Sequence, residues 1–117
     1  MEPRTLISSL QRAVKTFPAI VLTGPRQSGK TTLLKVKFER THKYLNLEDP
    51  SVRLRAKSDP AGFLEEITGP VILDEIQYVP ELLPYIKNSI DENRRPGNWI
   101  LTGSQNFVLM QGVSESL

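Results

Sequence analysis

The sequence predicts an α/β fold built on a parallel β-sheet. Two observations carry this reading. Short, continuously apolar runs rich in β-branched residues stand at 19–23, 71–73 and 99–102, the pattern of strands covered on both faces. Between them lie segments of helical periodicity, so strands and helices alternate along the chain. The 117 residues hold one domain at most, and residues 1–117 are read as a single unit. Hydrophobic residues make up 38% and charged residues 24%, which is globular rather than disordered or fibrous composition.

Residues 5–17 read as an amphipathic helix. Leu6, Ile7, Leu10, Val14 and Phe17 share one face, with Ser8, Ser9, Arg12 and Lys15 opposite. Thr5 is placed to cap it and Pro18 ends it. The first apolar run, 19–23, stops at Gly24, and a second helix follows over 31–40 with Leu33, Leu34 and Phe38. Residues 43–47 read as a strand broken by Glu48-Asp49-Pro50. Two short helices are expected near 50–57 and 60–67, the second capped by Asp59 with Pro60 at its first position. The run 71–73 ends in Asp74-Glu75. A helix over 81–95 shows Leu82, Leu83, Ile86 and Ile90 on one face and requires Pro84 in its first turn. Arg94 and Arg95 then sit where a helix C-terminus favours cations. The last strand, 99–102, leads into Gly103-Ser104-Gln105, and a further helical turn is expected from Asn106.

Composition excludes several classes of function. The chain has no cysteine, hence no disulfide, thiolate metal site or cysteine nucleophile. Its single histidine, His42, has no second ligand of its kind and reads as a surface residue. The formal net charge is +2 with dispersed basic residues, so charge gives no direct nucleic-acid signal. No run approaches the ~20 apolar residues of a membrane span, and no signal-peptide core follows Arg4. The expected location is a reducing cytoplasm.

The chemistry concentrates at Gly24-Pro25-Arg26-Gln27-Ser28-Gly29-Lys30-Thr31. Glycine, four residues, then glycine-lysine-threonine between a strand and a helix is a phosphate-binding loop. A polyphosphate needs several donors converging on one concavity. Backbone N–H groups of residues 26–31 and the helix N-terminus can supply them. Gly24 and Gly29 allow the backbone to wrap closely, Lys30 brings a point charge to the β- and γ-phosphates, and Thr31 offers a hydroxyl to Mg²⁺. The phosphate-binding set is Gly24, Pro25, Arg26, Gln27, Ser28, Gly29, Lys30, Thr31 and Thr32, with ATP and Mg²⁺ as the ligands.

A buried strand tipped by two acids is costly without a cationic partner or solvent. Mg²⁺ on a triphosphate would be that partner for Asp74, making Thr31 and Asp74 the metal-binding pair. Glu75 could then orient and deprotonate the attacking water. The bland alternative for the acid pair is a helix N-cap. Ser104 follows a strand that would lie beside the loop-bearing strand and could sense the γ-phosphate. Thr102 and Gln105 compete with it, and a plain strand-end turn is the alternative.

These four segments together, GPRQSGKTTL, YLNLEDP, VILDEIQ and ILTGSQN, resemble the prokaryotic AAA+-type ATPases that join an N-terminal AAA domain to a C-terminal domain of unknown function. The resemblance covers essentially the whole chain. It implies a P-loop NTPase fold of the AAA+ (ASCE) type, with about four strands of an expected five within these residues. It also implies Walker A at Gly24 to Thr31, Walker B at Asp74 and Glu75, and the first sensor at Ser104. Arg26, Gln27 and Gln77 match the family pattern without a derived role. In similar proteins the chain runs on into a segment with an arginine. Such a group is worth ~10³–10⁵ in rate in related phosphoryl transfer, and none follows Gly103 here. The expectation is therefore an ATP-binding domain whose family hydrolyses ATP, with hydrolysis by this short chain slow or absent. The competing expectation is a non-hydrolysing nucleotide- or partner-binding module, prone to self-association or pairing with another chain. A GTPase or small-molecule kinase is disfavoured because no Asn-Lys-x-Asp guanine reader and no acceptor lid can be read.

Overall fold

The parity of side chains along three of the four strands organises the molecule. A computed structural model describes residues 3–23 and 29–103. The elements run α1 (Pro3–Thr16), β1 (Ala19–Thr23), α2 (Lys30–Phe38), β2 (Lys43–Asn46), α3 (Pro50–Ser58), α4 (Pro60–Glu65), β3 (Val71–Asp74), a 3₁₀ turn (Ile76–Tyr78), α5 (Leu82–Glu92) and β4 (Trp99–Gly103). The four strands form one sheet in the order β1-β4-β3-β2, and every pairing is parallel. The predicted α/β class and parallel sheet are thus observed. So is the placement of β4 directly beside β1.

Successive strand residues point to opposite faces. Ala19, Val71, Leu73, Trp99 and Leu101 join the larger core with Leu47, Ala56, Phe63, Leu64, Leu82, Ile86 and Ile90 from the segments after β2. Ile20, Ile72 and Ile100 face the smaller core with Leu10 of α1 and Leu34 and Phe38 of α2. Burial on both faces explains why β3 and β4 read as unbroken apolar runs. β2, at one edge of the sheet among the described residues, is covered less fully.

The short helices obey their local signals. The Asp59 carboxylate accepts the Gly62 N–H at 3.1 Å, with Pro60 at the first helical position. The Asp49 carboxylate does the same for the Ser51 N–H at 2.9 Å, ahead of Pro50. The Ser51 N–H, and next the Ser51 hydroxyl, hold the Asp49 carboxyl below its ordinary value. Pro84 lies in the first turn of α5, as its missing N–H requires.

Several expected boundaries are corrected. α1 begins at Pro3, so Thr5 lies inside the helix instead of capping it; proline is well suited to a first turn. Phe17 lies past the helix end and is 45% exposed, not part of a buried face. α2 ends at Phe38, where the Thr41 and His42 N–H groups both return to the Phe38 carbonyl. α5 ends at Glu92, so Arg94 and Arg95 stand beyond its last turn. The expected helical turn from Asn106 lies outside the described residues.

Candidate active site

The carboxyl ends of the strands gather the polar side chains. Parallel register sets Leu73 beside Leu101 and Asn46 beside Asp74, so Asp74 sits one step past the paired core of β3 with Thr102 on the neighbouring strand. Asp74, Glu75 and Thr102 are the buried polar or charged residues among those described, at 2%, 7% and 0% exposure. Such burial demands partners.

Asp74 has three. The Thr102 hydroxyl donates to Oδ1 in a short bond. The Thr31 hydroxyl, one residue into α2, donates to Oδ2 at 3.0 Å. The Tyr44 hydroxyl of β2 donates to the same Oδ2 at 2.5 Å. Thr102 Oγ1 also accepts the Glu75 N–H at 2.8 Å, so one hydroxyl holds both acidic positions. Burial first, and the bond to Asp74 next, push the Tyr44 phenol well above its usual range and keep it a donor. The ammonium of Lys35 lies 4.7 Å over the Tyr44 ring.

Glu75 is unusual in two ways. Its backbone occupies the left-handed region at φ 60°, ψ 54°, a conformation that costs a non-glycine residue ~1 kcal/mol or more. Its Oε2 is buried and without a hydrogen-bond partner. The Gln77 Oε1, two residues on, is in the same condition. Glu75 stands at the N-cap position of the 3₁₀ turn, but its side chain makes no capping bond, and the Asp74 carboxylate is taken up by three hydroxyls. The bland N-cap reading of this pair therefore fails.

The structure brings Thr31 and Asp74, predicted as a metal-binding pair, into direct contact. Gly29 adopts φ 84°, the left-handed region open to glycine, immediately before α2. Thr32 is exposed on α2. Gly24, Pro25, Arg26, Gln27, Ser28, the Lys30 side chain, Ser104 and Gln105 lie outside what the structure describes. Thr102, weighed against Ser104 as a sensor, is instead fully buried and bonded to the acidic pair. Tyr44 was missed. Its only sequence signal is a hydroxyl in a strand whose register could reach β3.

The donor set suits Mg²⁺. The oxygens of Thr31 and Asp74 are hard ligands, and Glu75 leaves a buried carboxylate oxygen unpaired. Among the described residues no group of three or more His, Cys, Asp or Glu could cage a metal. Mg²⁺ does not need one, because it usually takes one or two protein oxygens and completes its shell with phosphate and water.

No helix among the described residues is long and apolar enough to cross a membrane. A family model described as "AAA domain" matches residues 16–117. An uncharacterized protein of Mycobacterium bovis and one of Mycobacterium tuberculosis are each 32% identical over all 117 residues. The chain spans 26% of the length of either relative. No solved structure matches the chain.

Proposed function

The chain belongs to the AAA-domain family, and from that premise we propose that it binds ATP with Mg²⁺ through Walker A and Walker B motifs and serves ATP hydrolysis. The observation that carries the reading is the 3.0 Å bond from Thr31 to Asp74. It joins the residue after the loop lysine to the acid of β3, across 43 positions of sequence. A glycine-rich turn with an incidental lysine has no need of that partner.

In this reading the loop N–H groups from Arg26 to Thr31 and the Lys30 ammonium bind the phosphates. The Thr31 and Asp74 oxygens would hold Mg²⁺, which neutralises charge on the β- and γ-phosphates. Glu75 accepts the proton of the attacking water; its unpaired oxygen is available for that hydrogen bond. Thr102 fixes the Glu75 backbone and the Asp74 carboxylate relative to each other. Ser104, the next residue in sequence after β4, would read the γ-phosphate.

Two variants test it. Lys30→Ala abolishes measurable ATP binding by calorimetry while the fold persists. Glu75→Gln still binds ATP but loses the slow phosphate release that wild type shows above background, by about 10²-fold or down to that background, as expected for loss of a general base. Equal background rates would reduce the chain to a non-hydrolysing nucleotide-binding module. ATP affinity retained by Lys30→Ala would overturn the phosphate-loop assignment.

A further inference from the structure

The Tyr44 hydroxyl is outside the phosphate-binding set read from the sequence, yet it touches the acid on which the metal site depends. Oδ2 of Asp74 accepts from both Thr31 and Tyr44. A carboxylate oxygen has two in-plane lone pairs, and two hydroxyl donors fill them. Oδ1 accepts from Thr102 and keeps one lone pair, so Oδ2 is the saturated oxygen. A metal ion, or a water bound to one, can approach Oδ2 only where a donor leaves.

Thr31 need not leave. Its hydroxyl hydrogen can remain on Asp74 while the oxygen lone pairs turn to the metal. Tyr44 is different, because it comes from β2 and is not one of the metal-binding pair, although its ring packs against α2 beneath Lys35. The buried Asp74 needs donors as long as no cation is near. Once a cation arrives, the third donor is redundant.

We propose, on the basis of the Mg²⁺–ATP reading above, that Tyr44 is a latch on Asp74: its hydroxyl occupies the Oδ2 position that metal hydration takes, and it is released when Mg²⁺–nucleotide binds. The latch stabilises the nucleotide-free state and sets the Mg²⁺ concentration at which the site fills. Removing it weakens the empty protein and strengthens metal-dependent binding. A group that merely positioned Asp74 in both states would not have this opposed signature.

Tyr44→Phe keeps the ring that packs with the smaller core and lies under Lys35. Binding of a fluorescent ATP analogue to the 117-residue chain is followed during Mg²⁺ titration for wild type and variant. The variant is expected to need about tenfold less Mg²⁺ for half-saturation, the scale of one charge-assisted hydrogen bond. Its melting temperature without nucleotide should be lower. In wild-type protein with ¹³Cζ-labelled tyrosine, the Tyr44 resonance, identified by its loss in Tyr44→Phe, should shift on adding Mg²⁺ to the nucleotide complex and not with nucleotide plus chelator. Mg²⁺-dependent binding that is equal or weaker in the variant, or a Tyr44 signal indifferent to Mg²⁺, overturns the latch and leaves the nucleotide reading standing. Absence of Mg²⁺-dependent binding in both proteins overturns the two together.

Discussion

At the amino ends of the strands, backbone groups satisfy one another; at the carboxyl ends, side chains gather on two acids. The Gly97 N–H reaches the Phe17 carbonyl at 2.7 Å, Trp99 reaches Pro18 at 3.0 Å, Val71 reaches Asn98 at 2.9 Å and Lys43 reaches Pro70 at 3.0 Å. These bonds tie β1 to β4, β4 to β3 and β3 to β2 before the sheet ladder begins. His42 adds to them, its Nε2–H donating to the Gly97 carbonyl at 2.7 Å while Nδ1 accepts from Thr41 at 2.8 Å. The opposite end holds a left-handed glutamate, an unpaired buried oxygen and a carboxylate with three hydroxyl donors. One end satisfies its backbone groups internally; the other keeps unmet polar groups where a ligand can use them.

The comparison predicts that the amino end tolerates change least. Gly97 has φ 69°, and a Cβ there would lie 2.6 Å from the Val14 carbonyl oxygen. Gly97→Ala should cost roughly 2–4 kcal/mol from strain and overlap together, seen as a lower denaturant midpoint at constant m. An undiminished midpoint would break the comparison at its strongest point. Thr102→Val at the other end should cost less, roughly 1–3 kcal/mol, because the Glu75 N–H and Asp74 Oδ1 lose a buried partner. Urea titration of the two variants side by side gives the ranking.

The smallest effect concerns His42. Burial lowers its pKa below the ordinary 6.5, partly offset by the bond to the Gly97 carbonyl. The folded state thus binds its proton less readily than the unfolded chain. This contribution to stability is fully present above pH 6.5 and is lost as pH falls below it. Melting temperatures between pH 7 and pH 5.5 should decline in wild type and decline less in His42→Gln.

The sheet was legible because its central strands are buried on both faces, and a short apolar run such as 71–73, bounded by Pro70 and Asp74, suits little else than a covered strand. The Thr31–Asp74 contact was legible because the loop and the acid-tipped strand each limit where their functional groups can stand. Tyr44 and His42 were not. Their partners lie 30 and 55 residues away, and those pairings depend on the order and register of strands that local pattern does not encode. The helix ends moved for local reasons: Pro3 serves a first turn and Thr5 need not cap it, while α5 stops before its two arginines.

Thr102 has one more consequence. It sits a single residue before Gly103, at the tip of β4, and its hydroxyl is tied both to Asp74 and to the Glu75 backbone. Sliding β4 along its axis would strain that link as well as the ladder that joins β4 to β3. The tip of β4 and the two acids are therefore coupled twice, by the β3–β4 ladder and by this one oxygen, so a displacement of Thr102 is felt at Asp74 and Glu75 together.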